Sequence, residues 1–202
     1  MPVKSSGYAA QPHASVPPQS PFDGIDVRDG DLALRPLESA DVGSLFALID
    51  AERARLGRFL PWVEETRTER DTLRFIEDAA DERRRRRSLV LGIVVNGALG
   101  GTIGLHYVDW FDRSAEIGYW IASDLEGRGY VTRATRRLMD VAFGVAGMHR
   151  LVIRCAIDNA RSRRVAERLG FRLEGLLRQA QWVGGRFVDQ HLLALLRTDA
   201  PR

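Results

Sequence analysis

The chain of 202 residues holds one cysteine, Cys155, and one lysine, Lys4. A single thiol excludes an internal disulfide framework. One thiol and four scattered histidines also supply none of the spacings of a zinc site, so no metal is expected. Apolar runs long enough to cross a bilayer, about 20 residues, are missing too, and no membrane partner is expected. The N-terminal residues carry Pro, Ser and Gln where a secretory signal needs an apolar stretch, which makes the cytoplasm the expected location. Apart from Lys4, all of the 30 basic residues are arginines, yet the net charge is only +3. That charge is mild, and the arginine bias fits genome base composition rather than phosphate recognition. The run Arg83 to Arg87 stands out. It either complements the negative end of a helix dipole or touches RNA or a ribosome surface. No aromatics interleave with it as a base-stacking surface requires, so no specific nucleic-acid binding is expected.

What is present suits one domain with a sizeable core: 45% hydrophobic and 28% charged residues. Residues 1–26 contain five prolines and no apolar periodicity, and read as a disordered tail ahead of a single domain over 27–202. "LALRPL" (Leu32 to Leu37) alternates as a strand, and from Ser39 the residues Leu45, Leu48, Ile49 and Leu56 keep to one helical face. Thr68 with Asp71 forms a capping box for a second helix that runs to the arginines. Two apolar runs joined by Asn96-Gly97 predict a hairpin, because both central positions of the tight turn need positive φ. "AEIGYWI" (Ala115 to Ile121) is a third strand, followed by a helix with Ala134, Leu138, Val141 and Val145 on its apolar side. "RLVIRCAI" (Arg150 to Ile157), a short helix from Asn159 to Leu169 stopped by Gly170, and two strands around Gly184-Gly185 complete the order. Strand, helix, strand implies a parallel crossover within an otherwise antiparallel α/β fold.

Gly127 and Gly129 open the helix that follows the third strand, although glycine is a poor helix former. At a helix N-terminus the unpaired NH groups and the positive dipole end form an anion site, which side chains would obstruct. The alternative is a plain tight turn that uses glycine for φ alone. Three features weigh against a Rossmann dinucleotide site: the third glycine is replaced by Thr132, a hairpin precedes the unit, and too little chain follows for the remaining parallel strands. Taken with "AEIGYWI", "EGRGYVTRA", "DNARSRRVAERLGF" and the closing "VDQHLLALLR", this segment resembles the GNAT superfamily of N-acetyltransferases. The likeness is to the branch of ribosomal-protein Nα-acetyltransferases of RimJ and RimL type, and covers roughly Leu32 to Arg197. It implies a mixed, mostly antiparallel sheet with one splayed parallel strand pair and flanking helices. The superfamily loop Gln/Arg-x-x-Gly-x-Gly/Ala keeps both glycines here but has Asp124 at its first place; diphosphate binding through backbone NH groups is expected to survive that change.

The resemblance further implies acetyl-CoA as cosubstrate. Its diphosphate would lie on Glu126, Gly127, Arg128, Gly129, Tyr130, Val131 and Thr132, its pantetheine beside Ile121, and its thioester end near Asn159 and Ser162. Asn159 also reads as a helix N-cap, and Ser162 as an ordinary first-turn residue. Amine attack on a thioester needs a proton acceptor for the amine, an oxyanion partner and a proton for the thiolate. A strand NH near Trp120 or Ile121 suits the second role, and Ser162 or Cys155 the third; Cys155 matches a thiol position in RimL-like members but also suits a core strand. The base of RimL-like relatives, a Glu, is replaced by Gln181, and the tyrosine acid of another branch falls on Ala166. Glu116 is the substitute base acting through water, or else one half of an ion pair; His106 is a further candidate. Trp62, Trp110 and Trp182 are candidate walls for the acceptor. The expected acceptor is a protein N-terminal α-amine, whose pKa of about 8 makes it easier to deprotonate than lysine. Alternatives are a polyamine or an aminoglycoside, for which Glu64, Glu65, Asp109 and Asp112 are candidate carboxylates, or a non-catalytic acyl-CoA-binding module docked on ribosomes through Arg83 to Arg87. A homodimer is expected from the resemblance alone.

Overall fold

The computed structural model describes residues 20–200. One eight-stranded sheet organises them: β1 Val27–Asp29, β2 Leu32–Pro36, β3 Leu89–Val95, β4 Ala98–Asp109, β5 Ser114–Ile121, β6 Arg150–Ala156, β7 Arg172–Val183 and β8 Arg186–Leu196. The spatial order is β1-β2-β3-β4-β5-β6-β8-β7. Every neighbouring pair is antiparallel except β5 and β6, the pair joined by a helical crossover. The helices are α1 Val42–Ala51, α2 Arg53–Leu56, α3 Glu69–Arg84, α4 Tyr130–Asp140 and α5 Ala160–Arg168.

Alternation along β5 assigns the two layers. Ala115, Ile117 and Ile121 join α4 and α5 in the larger core with Leu138, Ala166 and Leu151. Trp120 points the other way, into a second core with Leu45 and Ile49 of α1 and Ile76 of α3. Each aliphatic side chain so buried is worth about 1.5–3 kcal/mol. Thr68 and Asp71 form the expected capping box on α3. Asn96 and Gly97 take φ of 51° and 82° in the β3–β4 turn, as that hairpin requires.

The structure departs from the sequence reading in three places. Phe22 is completely buried and stacks 5.7 Å from Trp110, so the packed unit begins before residue 27; the tail expectation for residues 1–19 lies outside the described residues. A strand, β1, pairs with β2 through a turn at Gly30. Finally, α4 widens into a π-helical turn over Val141–Val145, which rotates Val145 out of the apolar stripe and leaves it 64% exposed. The arginine run sits at the α3 C-terminus, where Arg84 and Arg85 pair with Asp81 and Arg87 with Glu82. Among the described residues no helix is long and apolar enough to cross a membrane.

Candidate active site

After β5 the chain makes one 3-10 turn, Ser123–Leu125, then passes through Gly127 (φ 74°) and Gly129 (φ 83°) into α4. Gly129 is the N-cap in left-handed conformation, where a Cβ costs about 1 kcal/mol or more. The first backbone bond of the helix is Arg133 NH to Gly129 C=O, 3.0 Å. Ahead of it the NH groups of residues 127–132 donate to no protein acceptor among the described residues. A Cβ built on either glycine meets nothing within 4 Å, so this face of the loop opens outward. Arg128 is exposed beside it and Thr132 is half-buried in the first turn. The Tyr130 hydroxyl instead donates to Asp31 (2.6 Å), so it is engaged away from the loop. Glu126 is tied by Arg55 (2.6 Å) and by Arg161, which neutralises a carboxylate that would otherwise repel an anion. Unpartnered NH donors, a positive helix end and no obstructing side chain fit a diphosphate.

The β5–β6 ladder stops at the pair Glu116 and Val152, and from there the strands diverge. On the other side of β5 the pairing runs on to Gly101 and Ile121, with Ala122 NH bonded to Gly100 C=O at 2.7 Å. By alternation the main-chain groups of Trp120 belong to the β4 ladder, while those of Tyr119 and Ile121 face the gap. Of the two expected oxyanion donors, therefore, only Ile121 NH is aimed there. Its carbonyl is already an acceptor for Arg55 Nη2 at 2.6 Å.

Three polar side chains meet in the gap. Ser162 Oγ lies 3.0 Å from the Tyr119 hydroxyl. Burial pushes the Tyr119 phenol far above its ordinary value, which keeps it a neutral donor. Burial likewise raises the Cys155 thiol, against a smaller opposing pull from its bond with Ser162. Asn159 is the α5 N-cap, its Oδ1 accepting from Ser162 NH at 3.1 Å, and the cap thereby places Ser162.

The gap opens into a cleft of about 770 Å³ between the sheet and α1–α3. Its floor is the cross-strand pair His106 and Glu116. Gly104 and Gly118 face each other across the same strands and make room for the imidazole: a Cβ at Gly118 would sit 3.2 Å from the ring, and one at Gly104 3.3 Å from Nε2. Burial lowers the pKa of His106, so the ring is neutral near pH 7, and no side chain among the described residues hydrogen-bonds it. Glu116 binds Arg154 through Oε2 (2.7 Å), as the ion-pair reading expected; burial raises its carboxyl and Arg154 pulls it back. Trp62 lines the cleft, 6.2 Å from Trp120. Gln181 lines it as well and accepts from Gln190 at 3.0 Å.

Other expected residues lie elsewhere. Trp110 packs on Phe22 and donates to Arg86 C=O at 2.8 Å, and Trp182 stands 55% exposed against Phe187 at the β7–β8 turn. Asp109 Oδ1 caps its own turn by accepting from Phe111 and Asp112 NH, so of the carboxylates proposed for a cationic drug only Glu65 reaches the cleft. Asp71 and Asp78 of α3 line it instead. Sequence reasoning missed Tyr119, Arg154 and Arg55. Tyr119 carried a signal, since period-two alternation puts it on the face of Ile117 and Ile121 towards α5. Arg55 carried none, because its partners are 66 and 71 residues away.

Comparison with known proteins agrees with this geometry. The acetyltransferase (GNAT) domain family matches residues 31–172. The chain is 36% identical over 170 residues to the Bacillus subtilis (strain 168) protein named "Putative ribosomal N-acetyltransferase YdaF", covering 83% of this chain and 92% of that one. It is 29% identical over 163 residues to the ribosomal-protein-serine acetyltransferase of Escherichia coli (strain K12), covering 81% and 91%. Mycobacterium smegmatis RimJ, solved with CoA-disulfide, superposes with a TM-score of 0.80 at 28% identity over 85% of this chain and 84% of its own. Splayed strands, an open NH cradle and this likeness converge: the chain belongs to the GNAT acetyltransferase family.

Proposed function

We propose that this acyl-CoA-dependent N-acetyltransferase modifies the α-amine of a protein N-terminus. The observation that carries the reading is the row of unpartnered NH groups at residues 127–132 beside diverging strands that lead into a deep cleft. Residues 127–132 would hold the diphosphate, and the Tyr119 and Ile121 main chain would pair with the pantetheine amides. Bound there, the coenzyme supplies an activated acetyl thioester. A gap-facing main-chain NH of β5 not engaged by the pantetheine is the donor for the oxygen on which charge builds. His106, neutral and hydrogen-bonded by no side chain among the described residues, takes the proton of the attacking amine, while the second oxygen of Glu116 orients the ammonium. Neither group needs to be strong, because an amine of pKa about 8 is already about one-tenth neutral near pH 7. Ser162, held by Tyr119 and by the α5 cap, hydrogen-bonds the leaving sulfur, and the thiolate takes up the proton that the amine released to His106, passed on through solvent. Cys155 is kept protonated by burial and is thus a poor nucleophile, which favours direct transfer within a ternary complex over an acyl-enzyme.

The names of the two relatives favour a ribosomal protein as acceptor. Thiol release from acetyl-CoA, measured with N-terminal peptides of ribosomal proteins and with spermidine, tests this. Higher kcat/KM for a peptide, with the acetyl group on its α-nitrogen by mass spectrometry, is expected. A preference for spermidine would assign the small-amine alternative, and no turnover with any amine would assign a binding module.

A further inference from the structure

Helix α2 is a single turn, Arg53–Leu56, that hydrogen-bonds both walls of the active site. On the coenzyme side Arg55 bonds Ile121 C=O and Glu126, each at 2.6 Å, and Glu52 at 2.5 Å. Glu52 in turn accepts from Ser123 NH (2.8 Å) and Oγ (2.6 Å). These bonds pin the segment that leads from β5 into the glycine loop. On the acceptor side Arg53 donates to Val63 C=O (2.6 Å) and Thr66 C=O (2.8 Å), which fixes the loop that presents Trp62 to the cleft. The side chains of Arg53, Arg55, Glu52 and Glu126 are all less than one-third exposed, so these charge-assisted bonds are only partly screened.

We propose that Arg55 and Arg53 are positioning residues that join the two sites, so that occupation of the coenzyme loop also steadies the acceptor wall at residues 59–66. Neither touches the reacting atoms. A ligand that immobilises residues 123–132 restrains the partners of Arg55, and a rigid four-residue turn passes that restraint to Arg53 and its two carbonyls. Binding free energy at one site then appears at the other, and the effect is reciprocal. The proposal rests on the coenzyme reading above.

Amide hydrogen exchange of the full chain with and without coenzyme A tests it, and needs no knowledge of the acceptor. In the wild type, coenzyme A should slow exchange in both 123–132 and 59–66, the latter by about fivefold, the low end of ordinary site-to-site coupling. Arg53→Met should keep the protection of 123–132 and lose that of 59–66. Arg55→Met should lose protection of 59–66 while 123–132 stays protected at saturating ligand, and Arg55→Lys should restore part of it. Protection confined to 123–132 in the wild type, or protection of 59–66 that survives both Met variants, overturns the proposal and leaves the coenzyme site standing. No protection of 123–132 in the wild type overturns both.

Discussion

At the scale of single residues the proposed mechanism relies on groups kept neutral by burial. His106 is the clearest case: burial disfavours its charged form, so it titrates below the ordinary 6.5. The acid limb of kcat/KM should therefore fall below that value, since the ring is still mostly neutral at 6.5 and is lost as a base only as pH drops through its lowered pKa. His106→Asn should abolish this limb and reduce kcat/KM by about 100-fold, the low end for a positioned base. A pH profile unchanged by the substitution would remove His106 from the mechanism. Tyr119 is buried and neutral for a different purpose, to hold Ser162. Tyr119→Phe deletes the hydroxyl's contacts with Ser162 C=O (3.2 Å) and Oγ (3.0 Å), of which the Oγ bond is worth about 1 kcal/mol. Steady-state kinetics should show kcat down about fivefold with the KM for acetyl-CoA unchanged, and a large rise in KM instead would mean that the ring merely shapes the coenzyme gap.

At the scale of elements, each helix start and strand end near the site has a local cause. The α5 N-cap shows how an element positions a functional atom: Asn159 satisfies Ser162 NH and thereby sets the serine in the gap. Asn159→Ala should cost about 1 kcal/mol in thermal denaturation. It should also lower kcat, whereas loss of stability alone would mark the cap as structural only. Much of this was legible beforehand. The Asn96-Gly97 turn, the Thr68 box and the strand-glycine-helix passage all depend on neighbours in sequence, and such signals survive without tertiary context. The π turn at Val141–Val145 did not announce itself, because its apolar residues fit an ordinary helical period equally well. Strand β1 has three residues, too few for alternation to show. In the site, the cradle and Ser162 could be read from motifs, while Arg154, Arg55 and the unhelpful placement of Trp110 and Trp182 follow from contacts between distant segments.

At the scale of the whole molecule, the sheet divides the protein into a layer with α4 and α5 and a layer with α1–α3, proposed to serve coenzyme and acceptor, and the divergence of β5 from β6 connects them. The first core extends to Phe22, a residue whose proline-rich context reads as tail. Phe22→Ala should destabilise the protein by about 3–5 kcal/mol in chemical denaturation, since a buried ring leaves a cavity. A change below about 1 kcal/mol would return the segment to the tail. The central claim is that main-chain NH groups at Gly127–Thr132 grip a diphosphate, and calorimetric titration with coenzyme A tests it most directly. The wild type should bind, and Gly129→Val, whose side chain would occupy the open face of the loop, should bind at least about tenfold more weakly, a loss of about 1.4 kcal/mol. Undetectable binding by the wild type, or equal affinity in a folded Gly129→Val protein, would contradict the account.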